Sequence, residues 1–466
     1  MDGARMDEHE KNDCVADVGA THASPISRID ASRAEGAEGN VETIRATHAS
    51  PLRPLPPGWR WVRLGEVVDC FAGAWGADAA FQGSIPVLVV GTSQITNDGM
   101  LDYTDAPTRF LMEAERSAIC QTGDLLVVKS SGSAANIRSG KTAICPRALS
   151  GKIACANFLM RLVPRPQCVE PVLLWHYLNG PETKGFVQRI AGSSTYPNIK
   201  WSAFKNLPIP LPPLSEQKRI AAMLTEQMTA VDRARAAALA RLEAAKALPA
   251  AFLRQVFPQP GRDLPPGWRW VRLGEVVREA QAGFACGKRD DKGIAQLRMN
   301  NIDTKGSFVW DNVLRVPVEG VNWEPFVLKP GDVLFNNTNS TELVGKSALF
   351  GGYVEPIVFS NHFTRLRTDN RALSPDFLAS WLYHQWLQGV FAAICNRWIG
   401  QSAVKPDKLL ALQIPLPPLS EQKRVAAVLT EQMTAVDRAR AAAEAELETI
   451  NRLPAALLRR AFNGEL

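Results

Sequence analysis

Two stretches carry the residues best suited to hold a phosphate: "ANIRSGKT" at 135–142 and "STELVGKS" at 340–347. Both resemble the end of the phosphate-binding loop G-x-x-x-x-G-K-[ST], whose glycines let backbone N–H groups fold around the anion. The first glycine is missing from each, with Ala135 and Ser340 in its place. Without it the backbone does not close on a phosphate. No glycine-rich cofactor loop, no N-P-P-Y and no acidic cluster with a partnering lysine stands elsewhere in the chain. "LPPGW" also opens WW domains, but the second tryptophan they need is absent: 79–82 reads Ala-Ala-Phe-Gln and 288–291 reads Lys-Arg-Asp-Asp. No catalytic constellation emerges, and no metal-ligand spacing joins the cysteines to the histidines.

The chemistry that remains is polar and non-covalent. "KSSGSAANIRSGK" (129–141) and "NNTNSTELVGK" (336–346) follow strand-like runs, while "SSTYPNIK" (193–200) and "NRWIGQSAVK" (396–405) follow helix-like ones. Asn, Gln, Ser, Thr, Arg and Lys are the residue types that hydrogen-bond base edges and phosphates. The candidate nucleic-acid contacts are therefore Lys129, Ser130, Ser131, Ser133, Asn136, Arg138 and Lys141 in the first loop, with Thr195, Tyr196, Asn198 and Lys200 in the second. Their counterparts later in the chain are Asn336, Asn337, Thr338, Asn339 and Lys346, with Arg397, Gln401, Ser402 and Lys405. Each such loop alone reads as a solvated turn; what argues otherwise is their recurrence at equivalent places.

That recurrence comes from a duplication. "LPPGWRWVRLGEVV" opens at residue 55 and again at 264. "IPLPPLSEQKRIAAMLTEQMTAVDRARAAA" at 209–238 returns at 414–443 with only Ile220/Val425 and Met223/Val428 changed. Between these phrases lie two divergent sections, 69–208 and 278–413. They share a skeleton: Ile95 and Gly99 answer to Ile302 and Gly306, Gly123-Asp124 to Gly331-Asp332, Gly140-Lys141 to Gly345-Lys346, Asn157 to Asn361, and Arg161-Leu162 to Arg365-Leu366. Short runs of Val, Ile and Phe bounded by Gly, Asn and Pro read as strands. "LSPDFLASWLYHQWLQGVF" reads as one helix with Ser374 as N-cap and Pro375 at its first position. The expected fold class is mixed α/β, one fold used twice with different surface residues.

The second repeated phrase predicts a long helix, capped by Ser215, with Glu216 and Gln217 in its first turn, running to Pro249. Ile220, Leu224, Met228, Val231, Ala234, Ala238, Leu242 and Ala245 recur at intervals of three and four, one face of a helix. The copy supplies Val425, Leu429, Met433, Val436, Ala439, Ala443, Leu447 and Ile450. Two near-identical apolar seams, each a rod of about 50 Å at roughly 1.5 Å per residue, are expected to pack on each other. The organisation read from the sequence is a tail (1–51), a first variable domain (52–214), a central helix (215–258), a second variable domain (259–419) and a closing helix (420–466).

Bulk composition excludes other classes. The 466 residues carry +6 overall, but the first fifty hold five Lys/Arg against ten Asp/Glu, leaving +11 on the remaining 416. A basic body suits a polyanion. The acidic, Ala- and Ser-rich start reads as disordered and unlike a signal peptide. No apolar run approaches bilayer length. Eight scattered cysteines without C-x-x-C pairing suit a reducing compartment.

With this order of motifs in hand, the chain resembles the specificity subunit of a type I restriction-modification enzyme over residues 52–466. The resemblance rests on "LPPGWRWVRLGEVV" twice, "PIPLPPLSEQKRI" and "QIPLPPLSEQKRV" before the two helices, and the closing "LLRRAFNGEL". It implies two target recognition domains, each reading half of a split site in double-stranded DNA, and two antiparallel coiled-coil helices that set the half-site spacing. It also implies that the repeated segments dock two methyltransferase subunits, that restriction subunits join them, and that the assembly works in the cytoplasm in phage defence. S-adenosylmethionine, ATP and Mg2+ would then belong to those partners, with no cofactor and no metal on this non-catalytic chain, and no membrane association. A specificity subunit for a fused restriction-methyltransferase of a related class is the alternative. The acidic tail is not required by the family pattern.

Overall fold

The computed structural model describes residues 53–466 apart from 131, 134–135, 192–196 and 321, with backbone only for 132, 133 and 136. The acidic tail lies outside the described residues. The chain divides into two compact units, one up to Gln217 and one from Lys218.

In the first unit the repeated opening phrase forms strand Arg60–Arg63, which pairs antiparallel with Pro208–Leu211, Arg60 opposite Leu211 and Arg63 opposite Pro208. The two ends of the variable section are thereby joined by four residues on each side. Inside that closure an antiparallel sheet runs Val68–Ala72, Leu159–Pro164, Leu125–Val128, Thr142–Ile144. A second sheet runs Thr108–Leu111, Ile85–Val90, Ile153–Cys155, its last pair parallel. All four residues of Leu125–Val128 are buried, so both faces of that strand are covered. Leu126 and Val128 join Val87, Val89 and Ile153 in one core. Helix Pro171–Leu178 lies against Thr142–Ile144.

The second unit repeats this plan. Arg269–Arg272 pairs with Gln413–Leu416, and Val277–Ala282, Phe363–Thr368, Val333–Asn336 and Ser347–Leu349 form the antiparallel sheet. Leu314–Val316, Ile294–Leu297 and Ile357–Phe359 form the other. The expected skeleton holds: Ile95 and Ile302 are fully buried. Gly140 and Gly345 both adopt positive φ, 88° and 92°, where an added Cβ would strike Val187 or Phe391. The mixed α/β fold therefore occurs twice. One boundary differs: the single helix expected from Pro375 ends at Leu387, and Gly389 (φ 71°) starts a separate turn, Val390–Ile394. Ser374 precedes that helix without a side-chain cap bond.

The long helices are Leu214–Val256 and Leu419–Asn463. Ser215 lies inside the first rather than capping it, and Pro249 does not end it. A proline costs one backbone hydrogen bond and crowds the turn before it. Here the helix continues because Leu253, with Phe257 just beyond its end, is buried in the core of the second unit. The residue that secures each helix start is a buried glutamine. Gln217 Nε2 donates to Cys168 O and Pro212 O, and its Oε1 accepts from Glu170 N–H. Gln422 repeats this with Ala372 O, Pro417 O and Ser374 N–H.

Within the second unit the helices run antiparallel. Arg219 Nη2 donates to Leu466 O (2.6 Å), Arg235 Nε to Asn451 Oδ1 (2.9 Å) and Arg241 Nη2 to Glu446 Oε1 (2.6 Å). Val231 and Ala238 bury against Ile450, with Ala234, Leu447 and Leu457 beside them. The seam expected from the sequence thus forms in its middle. Its ends behave differently. Val425, Leu429 and Met433 pack into the domain core with Phe377, Leu378 and Trp381, Val436 is buried, and Ala439 is exposed. Ile220 and Leu224 are buried and Met228 half-buried. Among the described residues, no helix is long and apolar enough to cross a membrane.

Leu429→Ala is accordingly expected to lower the unfolding free energy by about 2–5 kcal/mol, read by urea titration, as a leucine deleted from a domain core does. A loss below about 1 kcal/mol would contradict its placement. Burial also pulls the ring pKa of His176 and His384 from 6.5 to about 4, and His384 stacks on Phe257 at 5.4 Å between ring centroids. Between those values the unfolded chain binds protons that the folded chain refuses, so this stability is complete above pH 6.5 and drains away as pH falls toward 4. Thermal melts should show Tm falling over that interval, with a shallower fall for His384→Gln; an unchanged slope would argue against a neutral buried ring.

Candidate nucleic-acid interface

The two polar loops of the second unit, about sixty residues apart in sequence, become one surface. Thr338–Asn339, Gln401–Ala403 and Asn396–Trp398 form a three-stranded antiparallel sheet in that order, with Asn339 opposite Ser402, and Ser402 opposite Arg397. Thr341 and Ser402 share a hydroxyl hydrogen bond of 2.8 Å, and Val404 N–H donates to Asn337 O. The first unit joins its loops in the same way. Ser130 bridges to Asn198, Ile199 N–H donates to Lys129 O, and Ser139 Oγ donates to Pro197 O at 2.6 Å. A short pairing of Gly132–Ser133 with Asn136–Ile137 sits between them. Spacing in the sequence did not require these meetings; the fold makes them in both units.

Which of the expected contacts face outward is decided by their hydrogen bonds. Arg397, Gln401 and Lys405 are exposed, as are Asn198 and Lys200; Lys129, Ser130 and Thr338 are half-buried. Arg397 Nη2 reaches back to Ala392 O at 3.1 Å. Ser131, Thr195 and Tyr196, and the side chains of Ser133 and Asn136, lie outside the described residues.

Several others are corrected. Asn336 is buried, its Nδ2 donating to His362 O and Thr338 O while its Oδ1 accepts from Asn339 Nδ2. Asn337 Nδ2 donates to Thr364 Oγ1 and Asn361 O, and Asn339 Oδ1 accepts from Ser340 N–H. These amides hold the loop's shape instead of presenting free edges. Ser402 is buried.

Lys346 is buried too, its Nζ donating to Ile302 O, and Lys141 repeats the bond to Asn97 O. Burial lowers the pKa of both ammonium groups. Arg138 spends Nη2 on Ile95 O (2.6 Å) and Thr92 O (3.3 Å). The glycine-lysine pairs that resembled a phosphate loop are thus turns at positive φ whose lysines staple a neighbouring turn.

Sequence reasoning passed over the apolar tip of this sheet. Trp398 and Ile399 are 60% and 106% exposed beside Gly400, which sits at φ 80°. An apolar pair directly before a glycine between two short strands is the signal that was available, since such a tip has no core to join. In the first unit the aligned letters are Ser193 and Ser194. A second difference lies next to the loops: Phe158, 56% exposed, accepts from Lys129 N–H, where the second unit has His362 accepting from Asn337 N–H. Burial lowers the His362 pKa, with a smaller push from Arg298. Among the described residues no group of His, Cys, Asp and Glu is placed to hold a metal.

Comparison with known proteins agrees with this construction. Residues 56–239 match the family model described as the type I restriction modification DNA specificity domain. The type I restriction enzyme MjaVIII specificity subunit of Methanocaldococcus jannaschii is 23% identical over 439 residues, 88% of this chain and 94% of its own. The crystal structure of the HsdS subunit from Thermoanaerobacter tengcongensis is 26% identical, with a TM-score of 0.58 over 89% of this chain and 99% of that one. A chain from a structural study of complex assembly and conformational transition of the type I R-M system gives a TM-score of 0.68 at 25% identity, over 89% of this chain and 100% of that chain. In fold, motif order and duplication the chain is similar to the type I restriction-modification specificity subunits.

Lys346→Ala and Asn336→Ala are each expected to cost about 1–3 kcal/mol of folding stability through the carbonyls they abandon, whereas Gln401→Ala should stay within about 0.5 kcal/mol. Urea titration of the three variants checks the division; a neutral Lys346→Ala would return that lysine to the surface.

Proposed function

We propose that this chain is the sequence-reading subunit of a type I restriction-modification complex, each unit reading one half of a split, asymmetric site in double-stranded DNA. One observation carries the reading: one frame is built twice, in each copy it brings two polar loops together among the described residues, and the letters of those loops differ while the frame does not. Arg397 and Lys405 would meet phosphates, and Gln401 is an amide able to pair with a base edge. The repeated segments would present equivalent docking surfaces to two methyltransferase subunits, with restriction subunits joining them, and the paired helices would set the half-site spacing. Methyl transfer from S-adenosylmethionine, and ATP- and Mg2+-dependent cleavage, would reside on those partners in the cytoplasm. The chain itself would recognise and assemble without catalysing.

Binding by the assembled complex to a duplex carrying its methylated site, followed by fluorescence anisotropy over a salt series, tests the reading. Arg397→Ala should weaken all duplexes and reduce the slope of log K against log salt by about one. Gln401→Ala should cost about 1–3 kcal/mol only when the half-site read by the second unit is intact. Equal losses on intact and scrambled half-sites for Gln401→Ala would refute base reading there, and methyl transfer by the chain alone would refute the division of labour.

A further inference from the structure

The duplicated helices differ at only two positions up to residue 238 and diverge more beyond it, and the later differences fall where they touch. Glu446 lies 205 residues after Arg241, which is the offset between the two copies of this phrase. The residue that Arg241 meets is therefore its own duplicate, and a position meets its duplicate only on the two-fold axis relating the copies. By the same offset Asn451, which accepts from Arg235, duplicates Lys246, and Ile450, which buries against Val231 and Ala238, duplicates Ala245.

Self-pairing of the first helix with another copy of the chain would substitute each of these contacts. Arg241 would face Arg241 on the axis, Arg235 would face Lys246 twice, and Ala245 would stand twice where Ile450 fills the seam. The second helix paired with itself would meet Glu446 against Glu446.

We propose that positions 241, 245 and 246 make the first long helix selective for the second helix of its own chain and unreceptive to the first helix of another copy. The inference rests on the helix contacts alone and stands apart from what the units bind. An exposed ion pair by itself contributes little. The selectivity comes from the axis and from repetition. The native pairing replaces the on-axis Arg241–Arg241 clash with an ion pair and carries each off-axis mismatch once, Lys246 falling opposite Arg440 by the same offset, whereas two-fold self-pairing carries each of them twice. Like charges facing each other at close range and an unfilled apolar seam together correspond to about tenfold or more in preference.

The test uses the folded chain with a protease site placed in the exposed segment 259–263. Two differently tagged preparations are cut, mixed in dilute urea, returned to buffer and recovered on one tag of the N-terminal piece. The C-terminal piece should come back near one to one, with about tenfold less of the other N-terminal piece. Arg241→Gln with Lys246→Asn, both at the exposed rim of the pair, should raise recovery of that second N-terminal piece about fivefold. Equal recovery of both pieces from the unaltered chain, or no rise in the double variant, would overturn the proposal.

A second measurement stands if the pieces fail to exchange. In the uncut chain Arg241→Glu and Glu446→Arg should each lower Tm, and the two together should restore it. Strict additivity of the two changes would overturn the on-axis contact.

Discussion

Two buried glutamines fix how this chain is built. Gln217 and Gln422 each tie the first turn of a long helix to the strand that precedes it and to the start of a second helix in the same domain. A buried amide leaves no group unsatisfied only when all its partners are in register. Its three bonds therefore hold the first turn of each helix against the strand end and the helix start beside it. The same three bonds form on the same kinds of backbone group in both units. On the N-terminal side of each helix stands a domain whose two ends are already zipped by a four-residue strand pair.

That closure explains how so much of the chain between the repeated phrases can differ. Change within 69–208 or 278–413 leaves the terminal strand pair and the glutamine anchor in place where it spares the strand residues Pro208 and Gln413 and the turns at 168–170 and 372–374 that the two glutamines bond. The polar loops differ in sequence between the units, with Trp398 and Ile399 in one where the aligned letters of the other are Ser193 and Ser194. If the chain reads DNA as proposed, this separation of frame from loops suits the role, because the loops change without rebuilding the frame.

The frame was legible in the sequence to an unusual degree, since a duplication displays its own boundaries. The middle of the seam, the strand runs, and the paired glycines at 140 and 345 follow from periodicity and composition, and the structure contains them. Three things were not legible. Pro249 reads as a stop because local propensity knows nothing of Leu253 and Phe257, whose burial in the core of the second unit carries the helix onward. Lys346 and Asn336 read as surface groups because their types are usually exposed, yet the tight turn at Gly345 carries the lysine inward to Ile302 O and the strand end carries the amide to His362 O. Gln217 reads as filler in a first turn because the carbonyls it bonds lie about fifty residues upstream or across a proline pair. In each case the deciding partner is distant in sequence.

If one frame carries two independent reading surfaces, exchanging a variable section must exchange a half-site. In a cell supplying the partner subunits, section 278–413 is replaced by a second copy of 69–208 and the methylated sites in the genome are mapped. The asymmetric site is expected to give way to an inverted repeat of the half-site read by the first unit. Methylation that persists at the original asymmetric sequence would show that the two surfaces do not read independently.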